Sequence, residues 1–248
     1  MGLELVIIFL IGAAVGSFLN VVIYRVPREE SVVSPPSHCP HCNTPIKPWH
    51  NIPILSWLLL RGKCAYCGAP ISPRYPIIEL LTALLFVSVY CRVGDISIFL
   101  VVDWALFSTL LALSVIDLDY KAVPDSLNLL ALTLSFFHSP EVVENFKNAL
   151  LLMGGAGMLR FYVSYFVGRE ALGEGDLIVA GTIGGLLGVK LGVTAVVVGA
   201  LLALPFSLYF RFRKRDLELP FVPFLAAGAF LVWAFEPQFL KLIGLLYG

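Results

Sequence analysis

The chain has 248 residues, 58% hydrophobic and only 14% charged, with 17 basic against 17 acidic side chains and a mean hydropathy of +0.88. A soluble protein draws about 25% of its residues from the charged types, so this chain cannot cover a globule with polar surface. That excludes a cytosolic globular enzyme, a disordered chain and a binder of nucleic acid driven by net positive charge; no nucleic-acid partner is expected, and an all-α polytopic membrane protein in a lipid bilayer is.

The first predicted element is an apolar run over 3–24. Its early charge is Glu4, and the positive residues Arg25 and Arg28 follow the run, so a retained span fits better than a cleaved signal peptide. Next comes a polar insert, 25–75, which collects six Lys/Arg, three of the four His, four of the five Cys and nine of the sixteen Pro. Further apolar segments occupy roughly 76–92, 97–116, 126–138, 145–167, 177–189, 191–210 and 220–240. A helix rises about 1.5 Å per residue and needs about 20 residues to cross the hydrocarbon core. The expectation is therefore about eight transmembrane helices, the short segments at 126–138 and 177–189 being tilted or set in thin bilayer. With the insert on one side, that side carries twelve Lys/Arg, including Arg169, Arg211, Arg213, Lys214 and Arg215, against four on the other. The positive-inside bias predicts a cytoplasmic insert and both termini outside. Gly184, Gly188 and Gly192, with the offset pair Gly181 and Gly185, predict close approach of another helix backbone.

Within the insert, Cys39-Pro-His-Cys42 and Cys64-Ala-Tyr-Cys67 are two CxxC pairs separated by 21 residues. Each pair offers two sulfurs from one tight turn, and two such turns complete a Cys₄ zinc site. Gly68 suits the sharp backbone after the second pair. A site closed by Cys39, Cys42, Cys64 and Cys67 would hold zinc structurally; redox dithiols or unliganded thiols are the alternatives. His41 reads as a solvated neighbour and Cys91 as a small apolar residue.

Ionisable groups inside a membrane are costly, and they point to function. Asp117 and Asp119 end one span, Asp125 opens the next, and Gly173-Glu174-Gly175-Asp176 leads into a later one. Asp117 and Asp176 fall at cytoplasmic helix ends, at similar depth on this topology. Two carboxyls that meet there share a proton, so one can activate water while the other donates, as in an aspartic protease. Ion-coupled transport and structural hydrogen bonding are the competing roles. Asp119 is expected to face water or headgroups, Asp125 to cap a helix and Glu174 to lie in a solvated loop; Asp103, mid-span, has no assigned partner.

Several ordered blocks resemble the bacterial prepilin peptidases, the type IV prepilin leader peptidase/N-methyltransferases. They are Gly16-Ser17-Phe18-Leu19-Asn20-Val21-Val22-Ile23-Tyr24-Arg25; the run from Ser37 through Asn51-Ile52-Pro53, Leu60-Arg61-Gly62, Ile71-Ser72-Pro73-Arg74-Tyr75-Pro76 and Glu79-Leu80-Leu81-Thr82; Ile116-Asp117 with Pro124-Asp125; and the GxGD block at 173–176. The resemblance covers about residues 10–190 and implies a membrane aspartic protease that removes short basic leaders from type IV prepilins and pseudopilins. Asp117 and Asp176 would be its catalytic pair. It also implies N-methylation of the new N-terminal residue from S-adenosylmethionine, an activity associated with the Cys₄ region. The chain then divides into a first transmembrane helix, 1–24, a zinc-binding region, 25–75, and a transmembrane peptidase core, 76–248, in the bacterial inner membrane.

One departure is Ile178, where relatives often carry Lys. Arg74, Glu79, Asn20 and Arg25 are candidate polar contributors to methyl transfer, with Glu79 equally readable as a helix-terminus acid. A secondary transporter using the two aspartates as ion sites, and a non-catalytic scaffold docking a partner through the zinc insert, are the readings from other classes.

Overall fold

The structure, a computed structural model, describes residues 2–168, 172–212 and 219–247. Arg169, Arg213, Lys214 and Arg215 from the charge count lie outside the described residues, as does the side chain of Arg211. Regular structure among the described residues is helical apart from two isolated β-bridges in the insert. The helices are α1 (Gly2–Arg25), α2 (Leu55–Leu59), α3 (Arg74–Val93), α4 (Ile98–Tyr120), α5 (Asp125–Phe137), α6 (Val142–Val167), α7 (Glu174–Phe212), α8 (Val222–Ala234) and α9 (Glu236–Tyr247). The protein is an all-α polytopic membrane protein.

Every apolar segment read from the sequence is helical, but not every helix is long and apolar enough to pass as a span by itself. Five helices, α1, α3, α4, α6 and α7, are long and apolar enough to cross, or up to six if α8 and α9, bent by 88°, form one broken span. The other differences have physical causes. The 13 residues of α5 rise only about 20 Å. α7 joins two expected segments across Gly188, whose φ of 72° breaks the helical path. α8 gives way at Phe235, which leaves the helical path (φ −113°, ψ 30°), and α9 begins at Glu236 with Pro237 in its first turn, where a missing N–H costs no helical hydrogen bond.

The chain forms two compact units, Met1–Gly94 and Asp95–Gly248. In the first, α1 lies along α3, and glycine makes this possible. A Cβ on Gly12 would stand 2.8 Å from the Ala83 Cα, and one on Gly16 only 2.7 Å from the Glu79 Cα. Four-residue spacing puts both glycines on one face of α1, where the two backbones meet. Gly16→Val is therefore expected to cost about 1–3 kcal/mol through overpacking. It would be read as a lowered thermal midpoint in detergent; an unchanged midpoint would refute the close packing.

Beyond α1, Arg25 shapes the start of the insert. Its guanidinium is buried and donates to the carbonyls of Ser31 (2.8 Å) and Pro35 (2.7 Å). Asn20 donates to the Tyr75 carbonyl at 3.2 Å and so ties α1 to the start of α3. The structure thus gives Asn20 and Arg25 definite positioning roles.

In the second unit α7 packs against α5, α6 and α8. Gly184 and Gly192 meet α6 at Asn148, Ala149 and Leu152, while Gly181 and Gly185 also meet α5 at Leu132 and Ser135. Gly188 departs from the expected packing face: it is the backbone break, and a Cβ there would meet only Asn148 Nδ2, at 3.8 Å. Leu106, Leu110, Leu113 and Ile116 of α4 are fully buried, with Ile183, Val222, Leu225 and Val232. Phe107 stands edge-on to Trp233, ring centroids 5.0 Å apart.

Candidate functional site

Asp117 lies one turn before the end of α4, which closes at Lys121 in the left-handed region (φ 51°) with its N–H on the Asp117 carbonyl at 2.9 Å. The Asp117 side chain is buried, and its Oδ2 accepts the Val222 N–H at 3.0 Å. This caps the first residue of α8, whose leading N–H groups have no partner within their own helix. A carboxylate 105 residues away in sequence supplies that partner.

Asp176 sits in the first turn of α7, where its Oδ2 accepts the Gly173 N–H at 3.1 Å. The two glycines of the GxGD block have separate steric reasons. A Cβ on Gly175 would stand 2.7 Å from the Val123 Cβ, and one on Gly173 3.3 Å from the Asp176 carboxylate itself. The chain entering α5 therefore packs onto the backbone entering α7. Asn128, fully buried on α5, donates to the Gly175 carbonyl at 3.0 Å and fixes that approach. Across this junction Asp176 acts electrostatically on Asp117.

The remaining acids are not part of this pair. Asp119 is exposed, as expected. Asp125 does not cap α5: Pro124 holds the cap position and Asp125 is the first helical residue, also exposed. Glu174 begins α7 instead of lying in a loop, with Oε1 3.7 Å from Arg160 Nη2. Asp103 Oδ1 is buried without a hydrogen-bond partner among the described residues, and His138 Nδ1 stands 3.9 Å from it, beyond hydrogen-bond distance. Ile178, in the first turns of α7, is half-buried. A cleft lined by Gly157, Arg160, Phe161, Ser164, Tyr165 and Leu177 opens beside the start of α7.

The four cysteines converge in the first unit, and two copies of one turn bring them together. In the first, Cys39 N–H bonds the Thr44 carbonyl (3.0 Å) and Asn43 N–H bonds the Cys39 carbonyl (2.8 Å). In the second, Cys64 pairs with Ala69 (2.8 Å) and Gly68 with Cys64 (3.0 Å). Each turn needs one left-handed residue, Asn43 (φ 53°) or Gly68 (φ 72°), and Asn and Gly are the types that tolerate it. Antiparallel bridges His38–Pro45 and Lys63–Pro70 close the two turns.

The ligand sulfurs all lie within 4.8 Å of one another, with Cys39 and Cys67 Sγ 3.8 Å apart. A tetrahedral zinc–thiolate shell with bonds of about 2.3 Å has edges of about 3.8 Å, so the donor set fits the ion. The thiols also behave as one cluster. Side-chain and backbone hydrogen bonds from Thr44 lower Cys42 to about 6, and the N–H groups of Cys67 and Tyr66 lower Cys64. Against the N–H of Ala69, desolvation and the other three sulfurs push Cys67 up to about 11. Four crowded sulfurs cannot all ionise alone; a divalent cation at their centre removes that conflict. His41 is exposed and outside the cluster, and Cys91 is exposed on α3.

Glu79 is buried on α3 and accepts the Ile54 N–H at 2.7 Å. Ile54 has φ 63°, a costly conformation for a β-branched residue, and this hydrogen bond helps to hold it.

Two acids at helix ends and a Cys₄ cluster are the groups of this polytopic membrane protein whose arrangement could support chemistry. A family model for the bacterial Peptidase A24 N-terminal domain matches residues 10–93, and one for the type IV leader peptidase family matches residues 104–208. The chain is 43% identical over 217 residues to the prepilin leader peptidase/N-methyltransferase of Myxococcus xanthus, covering 80% of this chain and 63% of that protein, less than two thirds of its length. It is 34% identical over 274 residues to the protein of that name from Aeromonas hydrophila (92% of this chain, 90% of that one). With the Bacillus subtilis protein of that name it shares 35% over 235 residues (92% and 93%). No solved structure matches the chain. The chain belongs to the type IV leader peptidase family.

Proposed function

We propose that this protein cleaves the leader from type IV prepilins or pseudopilins and N-methylates the residue so exposed, with Asp117 and Asp176 as the peptidase pair. What supports the reading is that two acids far apart in sequence, at the end of α4 and the start of α7, lie within electrostatic range of one another in a chain of this family. One carboxylate takes a proton from water as the oxygen attacks the scissile carbonyl carbon, and the other, protonated, donates to the carbonyl oxygen. Collapse of the tetrahedral species breaks the C–N bond, and the amine leaves with the proton that the first carboxyl had taken. Val222 N–H and Gly173 N–H hold the two carboxylates in position, and Asn128 holds the GxGD backbone.

S-adenosylmethionine is the methyl donor consumed in the second reaction, whose acceptor is the new terminal amine. Cys39, Cys42, Cys64 and Cys67 would hold a structural zinc ion that folds the insert. We assign the insert to the cytoplasmic side of the bacterial inner membrane and both termini to the other side, supported by the Lys/Arg distribution. The division at 1–24, 25–75 and 76–248 goes with this reading.

The test is to mix the full chain in lipid or detergent with a prepilin, with and without S-adenosylmethionine, and weigh the products. The expected masses show leader loss in both mixtures and one methyl group added only with the donor. An uncleaved prepilin in both would refute the peptidase reading.

A further inference from the structure

The insert carries an apolar surface that neither reaction explains. In α2, Ser56 is buried and the Trp57 indole N–H donates to the Ile71 carbonyl at 3.0 Å. The opposite face shows Leu55, Leu58 and Leu59, at 54%, 57% and 82% exposure. Spacing of three and four residues makes them one stripe. Trp49 and Ile52, just before the helix, are also exposed. A water-soluble knuckle gains nothing from presenting three leucines and a tryptophan to solvent.

The depth of this stripe follows from a hydrogen bond. Ile54, the residue before α2, donates to Glu79, and Glu79 lies about 8 Å along α3 from its first residue, Arg74. α3 has 20 residues, about 30 Å, and is long and apolar enough to cross a bilayer, so the start of α2 is tied level with its second turn and not beyond its end. Interfacial helices lie with their apolar face sunk about 5–10 Å into the headgroup–acyl boundary. Charge points the same way: no Asp or Glu occurs between Glu30 and Glu79, whereas Lys47, Arg61, Lys63 and Arg74 do. Lys47 Nζ stands over the Trp49 ring at 5.4 Å, an aromatic–cation pair of the kind found at lipid headgroup level.

We infer that residues 49–60 form a monotopic membrane element, in which the leucine stripe of α2 is sunk into the bilayer interface and the flanking Lys47 and Arg61 meet anionic lipid headgroups. The short chain from Leu59 to Cys64 then holds the Cys₄ knuckles at the membrane surface. This rests on α1 and α3 being spans and is independent of which residues cut the substrate.

A photoreactive benzophenone amino acid placed singly at positions 55, 58, 59 and 63 of the full chain tests it. Each protein is reconstituted in vesicles of phosphatidylethanolamine with phosphatidylglycerol, or of phosphatidylcholine alone, irradiated and weighed intact. Retained zinc reports that the insert is folded, and any one of the three stripe positions that keeps its zinc decides the outcome. Lipid adducts at the stripe are expected at least about fivefold above those at position 63, with higher yield in the anionic vesicles. No lipid adduct at the stripe, or cross-links there to this chain or a second copy, would overturn the membrane assignment. Equal yields in the two lipids would overturn the headgroup assignment.

Discussion

Asp117→Asn and Asp176→Asn are each expected to lower leader cleavage by about 10²–10⁴-fold while leaving the protein folded and inserted. The reason for choosing Asn is geometric. The Asp117 side chain is buried and accepts the Val222 N–H, and Asp176 accepts the Gly173 N–H. An amide oxygen of the same shape can accept both bonds, so the cap on α8 and the turn into α7 survive. What is lost is the ability to take up or release the catalytic proton. Because the two groups act as a unit, the double variant should be little worse than either single one. Each protein is assayed on a full prepilin for cleavage and on an already processed pilin peptide for methyl transfer. Methylation of the processed peptide at close to the wild-type rate would show that the fold and the second reaction remain. Wild-type cleavage by either variant would remove that residue from the mechanism.

How much of this was readable beforehand depends on the kind of atom involved. The four clustered cysteines announce themselves through spacing, and the turn that carries them is written twice: Cys39-Pro-His-Cys42-Asn43-Thr44-Pro45 and Cys64-Ala-Tyr-Cys67-Gly68-Ala69-Pro70. The shared Asn/Gly and Pro positions, which set the left-handed residue and the closing bridge, were visible signals that a reading of the cysteines alone passes over. Gly12 and Gly16 were likewise visible as a four-residue glycine repeat in the first span. Asn128 stood out too, as an amide between apolar residues of a short helix.

The partner of Asp117 could not be read in this way. It is a backbone N–H at Val222, and a backbone donor has no residue type to mark it. Gly188 shows the converse ambiguity. Its spacing from Gly184 and Gly192 fits a packing stripe, but glycine serves close approach and positive φ equally well, and only the fold decides between them. Hydropathy finds apolar segments but not their helical length or bends, which is why α5 and the bent α8–α9 pair stand apart from the helices long enough to cross by themselves.

Replacing Cys39 and Cys64 together by Ser is expected to empty the metal cluster and separate the two activities. The pair takes one sulfur from each turn, so neither knuckle can hold the ion with its remaining thiol and the partner turn alone. Structural zinc binding contributes about 10–16 kcal/mol in small knuckles, comparable with or greater than the whole net stability of a domain. The insert has little else to fold around: Cys39, Ser56 and Gly62 are the buried residues among the described positions 26–77. Wild-type protein should carry one zinc per chain by elemental analysis and the double variant less than about a tenth of that, with the segment between the cysteines newly open to protease. Leader cleavage, which we assign to residues of the second unit, should persist within about threefold, whereas methylation, which the family resemblance associates with the insert, should fall at least about tenfold as that region loses its fold. Full zinc content in the double variant would refute the Cys₄ site, and reductant-dependent thiol titration of a metal-free wild type would restore the redox-dithiol reading. Equal loss of cleavage and methylation would instead show that the knuckles support both reactions.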